Sequence, residues 1–261
     1  MLVMAGRIVL SQIPPWNRVI SLHSGSDEYA TDVVSDPTTG EVFLAGVWKE
    51  SLTGFPAGPY PSSDFSEPFG GTDGVVAKYD PSGNLQWAFK IGGNGDDRVE
   101  AIHLDRDGHL FITGSVSPGA ISFAGMEATA GIPTYTNVSG QDFFLARYDP
   151  TGRLLWARHS EGTNDIRGMG IASDPTGVYA AGWHRASVSF GSLPSYTSAG
   201  AGDMFLVKYS PEGSELWHVS GRSDNECFGE GVTSDGSRVY VTGEFLGSSL
   251  EILGPERNLI F

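Results

Sequence analysis

Apolar residues in this chain cluster in runs of five or six, rich in Val, Ile, Leu, Phe and Tyr and broken by Gly, Pro, Asp and Asn. Runs of that length and make-up read as half-buried or buried strands, and no segment sustains a helical period. The pattern therefore predicts an all-β fold. Three stretches line up with one another: DGVVAKYDPSGNLQW at 73–87, DFFLARYDPTGRLLW at 142–156 and DMFLVKYSPEGSELW at 203–217. Each has an Asp, an apolar run, a Tyr, a Pro-x-Gly turn and a Trp.

Eighteen residues after each Trp stands another Asp: Asp105, Asp174 and Asp235. A second strand signal follows, HLFITG at 109–114, GVYAAG at 177–182 and RVYVTG at 238–243, with an earlier copy EVFLAG at 41–46. The anchors Ile20, Trp87, Trp156 and Trp217 are spaced by 67, 69 and 61 residues. A repeat of this length matches a four-stranded antiparallel sheet with its connections, which predicts a β-propeller of about four units over 1–261. The units run 20–86, 87–155, 156–216 and a shortened 217–261. Within a unit the strands are expected at Trp87–Ile91, Glu100–Leu104, Leu110–Thr113 and Phe143–Tyr148.

The turns follow from local chemistry. In Asp149-Pro150-Thr151-Gly152, Pro sets φ for a type I turn, Gly takes the left-handed position and Asp accepts from backbone N–H groups. The glycines closing the third strands, Gly46, Gly114, Gly182 and Gly243, permit close backbone approach. A Trp at the same place in every unit reads as a wedge between neighbouring sheets, so Trp87, Trp156 and Trp217 are expected as structural anchors. Arg7–Ile13 (RIVLSQI) falls where a strand would precede Ile20. It either closes a four-bladed ring or belongs to an adjoining blade of a larger, here incomplete, one, and an open arc would self-associate through unpaired edges.

Composition narrows the functions. There are 36 glycines and 15 prolines, without a collagen period. The net charge of −15 opposes contact with phosphate backbones and anionic membranes, so no nucleic acid and no membrane insertion are expected. No apolar stretch reaches a membrane-spanning length. The single cysteine, Cys227, forms no internal disulfide and leaves the compartment open.

Acidic loops recur after each Trp strand: 25–28, 94–97, 163–165 and 223–226. Oxygen ligands suit Ca²⁺, and Asp96 and Asp97 are the candidate ligands, although Asp and Asn also favour turns for their own hydrogen bonds. The six histidines show no metal-ligand spacing and no G-x-S-x-G elbow occurs, so no catalytic residue is assigned. Long loops on a rigid scaffold carry recognition. The aromatics Phe55, Tyr60, Phe65, Phe69 and Tyr135 are therefore candidate ligand contacts.

The order of Gly-x-Asp, F-L-x-[KR]-Y-D-P-x-G, Trp and D-x-x-G-x-[VL]-[YF]-x-[AT]-G resembles the bacterial SBBP-type β-propeller repeat family over about residues 20–250. That resemblance implies a propeller without shared catalytic residues, part of a larger bacterial surface or secreted protein. Tyr148–Trp156 is also similar to the tryptophan-docking motif of quinoprotein-type propellers, but the long connections 48–70 and 116–139 do not fit those shorter repeats. The expected function is a non-catalytic scaffold for protein or carbohydrate, without a cofactor unless calcium binds. A propeller-face lyase or hydrolase, or a quinoprotein-like propeller, is the alternative.

Overall fold

The computed structural model describes residues 28–49, 68–123, 135–137 and 139–255, together with the backbone of 2–3 and 19–20. In that backbone β1 (Leu2–Val3) pairs in parallel with β2 (Val19–Ile20). The segment 7–13 and the residues Phe55, Tyr60 and Phe65 lie outside the described residues.

Four antiparallel sheets follow one another along the chain. Sheet I is β3 (Tyr29–Ser35), β4 (Val42–Trp48), β5 (Asp73–Tyr79) and β6 (Leu85–Gly92), paired in sequence order. Sheet II is β7 (Arg98–Leu104) and β8 (Leu110–Val116), then β11 (Asp142–Tyr148) and β12 (Leu154–His159). Between β8 and β11 the chain forms a hairpin of β9 (Gly119–Phe123) and β10 (Tyr135–Asn137). After β12 comes the short β13 (Glu161–Gly162). Sheet III is β14 (Ile166–Asp174) and β15 (Gly177–His184), a hairpin of β16 (Ser187–Ser189) and β17 (Tyr196–Thr197), then β18 (Asp203–Tyr209) and β19 (Glu215–Ser223). Sheet IV holds β20 (Glu226–Ser234) and β21 (Val239–Leu246), and β22 (Leu250–Leu253) ends the described chain.

The architecture is all-β and propeller-like, with no closed ring among the described residues. The first strands of successive sheets lie beside one another, β3 by β7, β7 by β14 and β14 by β20, so the sheets fan out from a common side. The sequence period holds but the sheet boundary moves by one strand. The Trp strand read as opening each unit is the fourth strand of the sheet before it: β6 pairs with β5, not with β7. The physical reason is the Pro-x-Gly turn, which makes the Asp strand and the Trp strand a tight hairpin. Gly152 in that turn sits at φ 85, the left-handed conformation a side chain would resist.

Two irregularities recur with the repeat. Every first strand bulges at one place, at 30/32, 99/101, 168/170 and 229/231. Opposite each bulge lies the second-strand glycine: a Cβ on Gly114 or Gly182 would lie 1.9 Å from the carbonyl oxygen of Arg98 or Arg167. Close approach is therefore what these glycines allow.

The core lies between sheets. Trp87 stacks on Phe89 (5.3 Å) and meets Phe43 edge-on, while Phe89 stacks on Tyr148 of sheet II at 4.6 Å. Trp156 packs against Tyr209 of sheet III, and its Nε1–H donates to the Pro211 carbonyl (3.0 Å). Trp156 thus joins sheet II to sheet III, whereas the ring partners of Trp87 lie in its own sheet. Trp217 packs on Tyr179 within sheet III and is half-buried.

Candidate functional site

Three kinds of contact fasten the sheets, and they account for many of the repeated polar residues. First, a residue at the start of each of sheets II to IV donates its N–H to the carbonyl just before the third strand of the preceding sheet: Asp97 to Thr72 (2.6 Å), Ile166 to Gln141 (2.7 Å) and Cys227 to Gly202 (2.9 Å). Second, a basic residue of the third strand reaches the next sheet's turn carbonyl, Lys78 to Pro150 (3.2 Å) and Arg147 to Pro211 (2.6 Å). Third, after its second strand the chain turns back to pair with the last strand of the preceding sheet or with the short strand that follows it. β9 pairs with β6, β16 with β13 and β22 with β19. The outer edges of β6 and β19 are covered over part of their length, which removes sites of unwanted strand pairing, while β16 pairs with β13, just beyond the end of β12.

The Asp that opens each third strand, Asp73, Asp142 or Asp203, is buried. Asp203 accepts from the N–H groups of Ala199 and Ser223, both at 3.0 Å. Asp73 accepts from the Phe69 N–H through Oδ2, while its Oδ1 has no partner among the described residues. Burial pushes its carboxyl up to about 7, against the Phe69 N–H and helped by the nearby Asp97 charge. Asp142 rises to about 7 from burial and the charge of Glu161.

The candidate calcium ligands sit in the connection from sheet I to sheet II. Asp97 is buried and accepts from the N–H groups of Gly93 and Ser117, both at 2.6 Å. Asp96 accepts from the N–H (3.0 Å) and hydroxyl (3.1 Å) of Thr72. These bonds tie the end of one sheet to the start of the next. Among the aromatic ligand candidates, Phe69 is exposed with the Lys90 ammonium 4.2 Å from its ring centre. Tyr135 is packed instead: it meets Phe123 and His159 edge-on, and its hydroxyl donates to the Ala157 carbonyl.

Sequence reasoning missed a groove of about 320 Å³ between sheets II and III, on the side of the Asp turns. His103, Asp105, Arg106, Asp107, Arg147 and Asp174 give it charges of both signs. Hydrogen bonds run through its walls. Asp105 accepts from the N–H groups of Asp107 and His109, both at 2.9 Å, and lies 3.6 Å from Arg147. Asp174 accepts from the Thr176 N–H (2.7 Å) and from the hydroxyls of Tyr179 (2.8 Å) and of Ser234 in sheet IV (2.7 Å). Burial alone would raise the Asp174 carboxyl; the Thr176 and Ser234 donors outweigh it and hold the group down at about 2. His103 Nε2 lies 3.0 Å from the Ser173 hydroxyl, and burial lowers its basicity despite the nearby Asp105 and Asp32. The repeat offered no signal for this groove, because His103 and Arg106 belong to one sheet only.

No family model matches the chain. A segment of 99 residues, 38% of the chain, is 30% identical to an uncharacterized WD repeat-containing protein of Acanthamoeba polyphaga mimivirus. The match covers 7% of that protein, so the chain spans a small part of its length. The similarity agrees with a propeller-like repeat protein.

Proposed function

We propose that the chain is a non-catalytic propeller-type scaffold that holds another protein across the groove between sheets II and III. The observation that carries this reading is the groove itself: side chains of both signs, drawn from two sheets, on turns fixed by their own Asp hydrogen bonds. Such a surface suits a partner segment carrying complementary charges of both signs. The partial identity with a WD repeat-containing protein supports the scaffold class. The likeness to SBBP-type repeats supports a place in a larger bacterial surface or secreted protein.

Crosslinking in source extracts tests the reading. Partners captured by the native chain should be lost when Arg106→Glu and Asp107→Lys are combined, with the melting temperature kept. Capture that ignores this change would overturn the assignment of the groove; a chain captured only by itself would assign the contact to self-association.

Two other readings rest on single observations. Carbohydrate is favoured by the exposed ring of Phe69, and a glycan array is its test. Catalysis is favoured by Asp73 and Asp142, carboxyls raised to about 7 as a general acid requires. Both are enclosed at a repeated structural position, which supports architecture over chemistry. Calcium at Asp96 and Asp97 is a separate proposal. The cation would compete with the Gly93 and Ser117 amides for Asp97, and calorimetry with Ca²⁺ decides it.

A further inference from the structure

Two histidines of sheet III are enclosed against the β16–β17 hairpin. His184 ends β15 and is 0% exposed; His218, in β19, is 1% exposed. Both hold carbonyls of the segment that carries the hairpin. His184 Nδ1–H donates to the Ala186 oxygen (3.1 Å), and Nε2 accepts from the Ser220 hydroxyl (3.1 Å). His218 Nε2–H donates to the Pro194 carbonyl (2.6 Å), and its ring lies against those of Phe190 (5.1 Å) and Tyr196 (4.6 Å). A carbonyl can only accept, so in each neutral ring the nitrogen facing it carries the proton. The other nitrogen is bare: Ser220 takes that of His184, and His218 Nδ1 is buried with no hydrogen-bond partner among the described residues.

The segment they hold enters through a strained residue. Ala186 has φ 56, in the left-handed region, and is the one residue other than glycine with positive φ among the described residues. Its carbonyl takes both the His184 bond and the N–H of Ser198 (2.9 Å), which closes the hairpin. Inside the hairpin Phe190 packs on Phe143 of sheet II (5.6 Å) and on Phe205 (5.0 Å), and β16 pairs with β13. Release of this segment would uncover the aromatic core shared by sheets II and III.

A second proton on either ring would bring a charge into this enclosure. On His218 it would add an N–H that has no acceptor, and on His184 it would displace the Ser220 donor. Asp203 of β18 favours charge on His184, and His218 opposes it. Glu215, three residues before His218 in β19, lies under Gly191 of the hairpin and pairs with Arg158 at 3.9 Å. Burial lowers the basicity of both imidazoles, against the Ala186 and Pro194 bonds and the Asp203 charge. We propose that His184 and His218 form an acid-sensitive clasp: uncharged they hold residues 186–197 on sheet III, and their protonation releases the β16–β17 hairpin while the sheets stay folded. A histidine whose basicity falls on folding stabilises above its ordinary value, near 6.5, and that contribution is lost as pH falls below it. The buried Asp73 and Asp142, raised to about 7, have the opposite sign, so acid loosens the hairpin without loosening the sheets.

Hydrogen exchange of the intact chain at pH 7 and pH 5, corrected for the intrinsic rate, tests the clasp. Protection over 186–198 should fall by about tenfold or more, since each histidine changes the opening constant by up to about tenfold per pH unit below its ordinary value. Protection in β8 and β11 should not fall. His218→Gln keeps a donor for the Pro194 carbonyl but does not titrate, so its hairpin should lose less protection than the native one. Should that variant fold poorly, an NMR titration of the native imidazoles decides: His184 and His218 must gain their protons over the same pH range in which the hairpin opens. Equal protection at the two pH values, a loss shared by β8 and β11, or an equal loss in a folded His218→Gln chain overturns the proposal. So does a His218 ring that is protonated while the hairpin remains protected.

Discussion

The junction between sheets II and III and the junction between sheets III and IV use the same sequence elements with different results. At the first, Trp156 is 8% exposed, faces Tyr209 of the next sheet and hydrogen-bonds the Pro211 carbonyl there. Phe143, Phe190 and Phe205 form a fully buried aromatic cluster in the same core. At the second, Trp217 occupies the same motif position but is only half-buried, and Phe245 of β21 is 43% exposed. The motif supplies one half of a junction and the neighbouring sheet supplies the other. Stability in such an array is a sum of sheet terms and nearest-neighbour terms, so identical residues differ in worth along the chain.

The largest effect that follows is a contrast between two matching substitutions. Trp156→Ala should destabilise by about 3–5 kcal/mol, the range for removing a buried large aromatic side chain. Trp217→Ala should cost about half of that or less, because part of its surface already meets water. Urea unfolding of both variants checks this. Equal costs would mean that the motif carries its energy within one hairpin, and the nearest-neighbour account would fail.

The next contrast is in pH. Asp73 and Asp142 are buried with carboxyls raised to about 7, against an ordinary value near 4. The folded chain therefore holds more protons than the unfolded chain between about pH 4 and 7, and stability falls as pH rises through that window. Asp174, where the sheet IV hydroxyl of Ser234 reaches sheet III, is held at about 2 and has the opposite sign. Its contribution is present above about pH 4 and is lost as pH falls towards 2. Burial lowers the basicity of His103, His184 and His218, which act with the opposite sign over part of the same window, so the test is a difference between chains. Asp142→Asn should make the urea midpoint fall less, or rise more, from pH 5 to 8 than in the native chain, and an unchanged slope would contradict the buried-acid assignment.

These contrasts also mark what was readable in advance. The Trp strands, the Asp-Pro-x-Gly turns and the close-approach glycines were legible, because each depends on residues near in sequence and recurs with the period. The sheet boundary was not. A strand's apolar pattern is the same whether it pairs with the strand before it or after it, so the Trp strand was placed one sheet too late. The β9–β10 hairpin stayed hidden for the same reason: its outer partner, β6, is in the preceding sheet. Tyr135, read as a ligand contact, is instead the residue that packs this hairpin onto Phe123 and His159. The charged groove was invisible because it is made where two sheets meet, and no single segment contains it.

The smallest contrast concerns the basic residue of the third strand and isolates the junction's polar share. Arg147 donates to the Pro211 carbonyl of sheet III at 2.6 Å and covers Phe111. Lys208, its counterpart one sheet later, finds Thr176 and the Tyr179 ring, both within its own sheet. Arg147→Met should therefore cost about 1–2 kcal/mol, and Lys208→Met about 0.5 kcal/mol or less. The Pro211 carbonyl also accepts from Trp156 Nε1, so removing one donor leaves the other. Trp156→Phe deletes only that second donor and keeps a ring in the junction. Combining it with Arg147→Met strips the carbonyl of both, and the double variant should exceed the sum of the singles by about 0.5–1 kcal/mol. A coupling near zero would mean that water takes the place of both donors, and the difference between the two junctions would then reduce to apolar packing alone.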